Sequence, residues 1–241
     1  MKTRKILALA AVALLPLTVT ACTTNDPTPP AAEAPADPVA PEDTSDVDDL
    51  TLVESAFGQH GDYWWYVIVV DNPNDDVAFA SDLVNEIRIE AQNEAGTIVA
   101  SASHTNMILP GRVALAGMLT DTDGEAVHAL DVRIHPAAQS DLIRLEDGET
   151  FGELTVSDLE HTVSEHGWNV VTATASNTFD EDFDMPSVTL IARNPDGTIT
   201  QANVTMIEHL PAGGTAEFEG VFLDDSLIPE GATFEMFIPH P

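Results

Sequence analysis

Eight histidines, 41 acidic residues and a single thiol are the groups that could do chemistry in these 241 residues. A zinc site needs several imidazoles converging on one point. His60, His104, His128, His135, His161, His166, His209 and His240 include no His-x-His or His-x-x-x-His pair, so they read as turn and strand-end residues. No Gly-x-Ser-x-Gly elbow offers a hydrolase nucleophile. Carboxylate pairs are so frequent that pairing carries no information, and most read as solvated faces. Enzymatic activity is not expected. Calcium is the better metal candidate, because it wants several hard oxygens. Asp71, Asp75 and Asp76 lie in one loop and Asp180, Asp182 and Asp184 in a matching later one, with Asp121 and Asp123 in a third acidic turn. None completes a twelve-residue loop ending in Glu, and Asp is also favoured in turns for local reasons.

The densest apolar feature is the run Tyr63-Trp64-Trp65-Tyr66-Val67-Ile68-Val69-Val70. In a strand, neighbouring side chains face opposite ways. Tyr63, Trp65, Val67 and Val69 then share one face, and Trp64, Tyr66, Ile68 and Val70 the other. Both faces are apolar, which a half-exposed strand does not require. Two readings follow. Trp64, Tyr66 and Ile68 form a partly exposed patch that anchors a partner, or the second face is covered by another part of the chain.

The thiol has its own context. Lys2, Arg4 and Lys5 precede an apolar stretch over residues 6–15, the pattern of an export signal. The apolar part is too short and too broken to span a bilayer, which takes about 20 residues. The run Leu17-Thr18-Val19-Thr20-Ala21-Cys22 resembles the bacterial lipobox. That resemblance implies cleavage after Ala21 and a diacylglyceryl thioether on Cys22, with the protein held by its lipid on the extracytoplasmic face of the bacterial cell membrane. Two or more acyl chains anchor stably where one is marginal. With one cysteine, no intramolecular disulfide can form.

Residues 22–50 are rich in Pro, Ala, Thr and acid, with almost nothing to build a core. Such composition predicts a disordered tether, reaching on the order of 80 Å if extended as polyproline II. The formal charge is −33; without Lys2, Arg4 and Lys5, in a segment that has no acid, it becomes −36. Such a surface repels phosphate backbones, so nucleic acid is excluded as a partner.

From residue 51 the chain repeats itself at an offset of about 101–106 residues, read directly from the sequence. His60-Gly61 recurs as His166-Gly167, each ahead of a strand. Asn72 matches Asn177, the turn from Asn93 to Gly96 matches that from Asn194 to Gly197, and Leu109-Pro110-Gly111 matches Leu210-Pro211-Ala212-Gly213. Period-two alternation in Ile87-Ile89-Ala91, Leu130-Val132-Ile134 and Phe234-Met236-Ile238 marks half-buried strands. Short alternating strands between Gly, Pro and Asn turns predict an all-β fold: two tandem antiparallel sandwiches at 51–136 and 153–241, joined by a connector at 137–152. Leu142, Ile143 and Leu145 are expected to pack at the junction.

The Asn-bearing turn after the first strand, the strand into an Asn-x-x-Gly turn, and the Leu-Pro-Gly leading to an aromatic strand at 218–222 together resemble the FxLYD-type domains. Those are immunoglobulin-like modules found in tandem on bacterial surface lipoproteins. The Tyr-Asp of that pattern is replaced by Asn93-Glu94 and Asn194-Pro195. The resemblance implies presentation or binding and brings no catalytic residues. The expectation is a non-catalytic cell-surface lipoprotein that meets a protein or cell-envelope partner. The alternative is an extracytoplasmic binder of a small ligand or calcium.

Overall fold

The structure, a computed structural model, describes residues 47–80, 87–120, 122–134, 142–146, 148–222 and 228–241. The expected signal at 1–21 with its cleavage residue Ala21, the lipidation residue Cys22, tether residues 23–46, Asp121 and His135 lie outside the described residues. The protein is all-β, and its strands pair antiparallel throughout.

The first half runs β1 (Thr51–His60), β2 (Tyr63–Asn72), β3 (Val77–Phe79), β4 (Ile87–Gln92), β5 (Ile98–His104), β6 (Gly111–Leu119), β7 (Ala129–Ile134) and β8 (Leu142–Arg144). The second runs β9 (Leu154–Val163), β10 (Asn169–Asn177), β11 (Phe183–Asp184), β12 (Ser187–Arg193), β13 (Ile199–Met206), β14 (His209–Leu210), β15 (Thr215–Phe222) and β16 (Thr233–Phe237). Sheet β1-β2-β6 faces sheet β5-β4-β7, as sheet β9-β10-β15 faces sheet β13-β12-β16. The order of strands is the same in both halves. Even the irregularities repeat. Each Asn-x-x-Gly hairpin closes with Gly96 or Gly197 at positive φ, which glycine adopts without a Cβ penalty. Each is flanked by a register shift, at Ala91/Gln92 and at Ala192/Arg193.

Alternation explains each core. Tyr66, Ile68 and Val70 of β2 meet Ile87, Ile89 and Ala91 of β4 in the first half. Val171, Ala173 and Ala175 of β10 meet Val188, Leu190 and Ala192 of β12 in the second. Close packing needs a small residue opposite a large one. A Cβ on Gly117 would sit 2.6 Å from the Tyr66 hydroxyl, and one on the equivalent Gly220 would sit 2.0 Å from Leu190.

A third core joins the halves. Trp65, Val67, Val69 and Ala114, on the outer face of β1-β2-β6, pack against Ile191 and Ala202 on the outer face of β13-β12-β16. Strand β13 crosses β1, β2 and β6, while β6 meets β13, β12 and β16, so the two sheets stack with their strands crossing. All described residues accordingly fall in one compact unit.

Two boundaries differ from expectation. The connector is not all loop: its Leu142 and Ile143 lie in β8, which pairs with β3 as an added edge strand. It therefore extends the first half. The tether's last residues are also docked, because Val47 and Leu50 cover the first core. Asp48 donates its N–H to Asn74 Oδ1 at 3.0 Å, and Asn74 Nδ2 donates to Asp48 O at 2.8 Å.

If the third core couples the halves, the protein unfolds in one cooperative transition. Ala114→Asp places an unpaired carboxylate in that core, which costs several kcal/mol. Calorimetry on the variant is expected to show two separated transitions, or one shifted down by several degrees. An unshifted single transition would mean that the sheets do not pack as described.

Candidate functional site

Strand β2 is central in its sheet and buried on both faces. Tyr66 is 3 % exposed and Ile68 0 %, while Trp64 is half-buried against the first core and Phe57. The expected partner patch of Trp64, Tyr66 and Ile68 is therefore corrected. Those residues face the first half's own core, and the opposite face, led by Trp65, is the one another part of the chain covers. The Trp65 indole lies over Gly58, where a Cβ would come within 2.5 Å of the ring. Its Nε1 is buried without a hydrogen-bond partner, a cost of about 1–3 kcal/mol that the surrounding apolar contacts offset.

Within the first core, the Tyr66 hydroxyl lies 2.9 Å from His104 Nε2. Burial raises the Tyr66 pKa to about 12. Burial also drives His104 down to about 4, with a hydrogen bond to Asn106 pulling weakly the other way. Both groups are neutral at physiological pH, and either ring tautomer can satisfy the hydroxyl. Asn106 also donates to His240 O at 3.1 Å, so the end of β5 touches the second half.

The acidic loops are closed by asparagine side chains. Asn72 is buried at the end of β2, where its Nδ2 donates to Val77 O at 2.8 Å and Ile108 O at 3.2 Å. Its Oδ1 accepts from Asn74. Asn177 repeats the clamp, donating to Glu181 O and Pro211 O and accepting from Phe179 N–H. Of the calcium candidates, Asp71 lies 3.6 Å from Arg112, Asp182 accepts from Ala212 N–H at 2.7 Å, and Asp184 contacts His209 at 2.9 Å. Asp75, Asp76 and Asp180 are exposed. Among the described residues, no three His, Cys, Asp or Glu are grouped to hold a metal ion. The matched loops are alike because both need the asparagine clamp.

The histidines are scattered likewise. His161 bonds Asn169 at 2.8 Å and stacks on Phe234, His166 leans on Trp168, and His240 packs edge-on against Phe179 and Phe183. Arginine is spent on acids. Glu90 lies 3.1 Å from both Arg88 and Arg133, and Arg193 joins Glu235 to Glu54 across the halves at 3.0 and 2.9 Å.

One concavity is built by both halves. A half-open cleft of about 550 Å³ lies where the start of β6, residues 149–153 ahead of β9 and the end of β16 meet. Its apolar lining includes Met107, Leu109, Val113, Phe151, Met236 and Ile238. Asp75, Arg112, Glu149, Glu153 and His240 supply its ionisable groups. Nothing in the sequence pattern marked this cleft, because its walls come from segments about 130 residues apart that only the third core brings together.

No protein-family model and no curated protein matches the chain. Among solved structures, a similar chain is Bacteroides uniformis beta-glucuronidase 2 covalently bound to cyclophellitol-6-carboxylate aziridine. It is 12% identical over 68% of this chain and 22% of that one, with a TM-score of 0.20. The chain thus spans about a fifth of that protein's length, and so low a score carries no argument.

Two predictions follow from β2. Tyr66→Ala is expected to cost about 3–5 kcal/mol in urea unfolding, the range for deleting a buried ring; a change within 0.5 kcal/mol, about the spread of surface substitutions, would return Tyr66 to the surface. For His104, the folded state resists protonation, so the unfolded state takes the proton first. Its contribution is fully present above pH 6.5 and is lost as pH falls toward 4. His104→Gln keeps an acceptor for Tyr66 but cannot titrate. Between pH 7 and 4 the parent is expected to lose on the order of 3 kcal/mol more than this variant; parallel stability curves would show that His104 is solvated.

Proposed function

We propose that this chain is a non-catalytic surface lipoprotein, anchored by a diacylglyceryl group on Cys22 and presenting two tandem FxLYD-type, immunoglobulin-like modules to a protein or cell-envelope partner. The anchor rests on the lipobox-like run ending in Cys22 and on the positive, then apolar, segment before it. The module reading rests on the matched strand order, turns and asparagine clamps of the halves. The observation that carries presentation is the third core. It fuses two sandwiches into one body, which suits a stiff projection on a long tether. Tyr63 at 56 % and Met118 at 63 % exposure lie on the part of the β1-β2-β6 face beyond that core, and they replace Trp64 and Tyr66 as the apolar residues a partner could reach. A second reading, small-ligand binding, is favoured by the junction cleft.

The anchor is tested with Cys22→Ser, followed by membrane fractionation and intact-mass measurement. The variant is expected to accumulate as an unprocessed precursor or to leave the lipid-bearing fraction. A serine variant processed and membrane-bound like the parent would remove the anchor from the proposal.

A further inference from the structure

We infer that the junction cleft binds a small amphipathic organic cation, an amine carrying an apolar body. This stands on the cleft's geometry and does not depend on the lipid anchor. The volume of about 550 Å³ falls within the roughly 300–1,000 Å³ of small-molecule sites. The floor is apolar and soft. Met236 and Ile238 are buried, and Met107 and Met236 are unbranched thioethers that adapt to an irregular ligand. Phe151 is a further lining residue, and an aromatic ring is a favourable neighbour for an ammonium group.

Charge selects the ligand's sign. Asp75, Glu149 and Glu153 are all exposed at the cleft. One oxygen of Glu149 accepts the Glu146 N–H at 3.2 Å, which leaves its other oxygen for a ligand. Against these three carboxylates stands Arg112, whose guanidinium lies 3.6 Å from Asp71. The His240 ring is a prop between Phe179 and Phe183, its Nδ1 3.1 Å from Pro241 O. The local balance is negative, and the field of a chain with formal charge −33 steers cations inward and anions away. A carboxylate of the same shape would gain the apolar contacts and lose on charge.

The methionines supply the readout. In the full chain, purified in nonionic detergent and labelled at the methionine methyls with carbon-13, 4-phenylbutylamine is titrated and compared with 4-phenylbutyrate. Saturable shifts are expected at Met107 and Met236 with the amine only, while the exposed Met118, Met185 and Met206 stay in place. Glu149→Gln with Glu153→Gln, at exposed positions where folding tolerates the change, is expected to weaken the amine at least threefold. The inference is overturned if Met107 and Met236 do not move, if the carboxylate moves them equally, if all the methyls move together, or if the double variant binds unchanged. Failure here leaves the lipid anchor untouched, and failure of Cys22→Ser leaves the cleft untouched.

Discussion

The structure depends on one strand that must be buried on both faces. β2 lies in the middle of its sheet, with Tyr66, Ile68 and Val70 in the first core and Trp65, Val67 and Val69 in the third. Burying a Val or Ile side chain contributes about 1.5–3 kcal/mol. Val67, Val69 and Ile191 alone therefore give the junction on the order of 5 kcal/mol before ordering costs. That is enough to make two small sandwiches behave as one body, where a short linker between polar faces would leave them to move. Arg193 reinforces the same junction. Burial works against its charge, and hydrogen bonds to Glu235 and Glu54 more than offset that. It adds specificity of placement more than energy, since partly exposed ion pairs contribute about 1 kcal/mol or less.

The excess of acid shapes how the few cations are used. Arg88 and Arg133 cover Glu90, a carboxylate with little solvent access on the outer face of β5-β4-β7. One of its oxygens lies near Arg133 without an aligned hydrogen bond. Removing either arginine would leave a poorly solvated charge short of partners, which is why such clusters persist even when their net worth is small. The remaining surface keeps its acids solvated. The field this creates bears on any ligand or partner that approaches.

Much of the fold was legible because local rules and global packing agree. Ile87, Ile89 and Ala91 alternate in the sequence and face inward in β4; the Asn93 and Asn194 turns close hairpins as their Asn-x-x-Gly spacing requires. The two apolar faces of residues 63–70 were legible too, but not whether the second is covered or exposed. Which face belonged to which core was not legible either. Trp64 and Trp65 are chemically alike, and period-two alternation fixes only that they point apart. The acidic loops were legible as turns, and their composition alone does not assign them a ligand. Each acidic loop is closed by a buried asparagine, Asn72 or Asn177, and turn chemistry and metal chemistry draw on the same residue types. The connector strand β8 and the junction cleft left no local pattern, since both arise from pairing between distant segments.

The difference between the halves completes the physical account. Where β2 carries Trp65, Val67 and Val69 toward the junction, β10 carries Val170, Thr172 and Thr174 at the equivalent positions, judged by their pairing with Met118, Ala116 and Ala114 on β6 and with Val221, Glu219 and Glu217 on β15. The same swap runs the other way on the facing sheets: β12 offers Thr189, Ile191 and Arg193 to the junction, while β4 carries Arg88 and Glu90 on its outer face, where arginines cover the carboxylate. The contact joins unlike faces, an outer β1-β2-β6 type to an outer β13-β12-β16 type, and a head-to-tail contact of that kind can in principle continue into a filament. One end of the stack presents the arginine–carboxylate cluster of Arg88, Arg133 and Glu90, and the other presents Thr172, Thr174, Glu217 and Glu219 beside Val170 and Val221, polar side chains of the kind that terminal units of a stacked array carry. The two halves thus share a strand order and differ at the residues that decide which faces meet each other and which meet solvent.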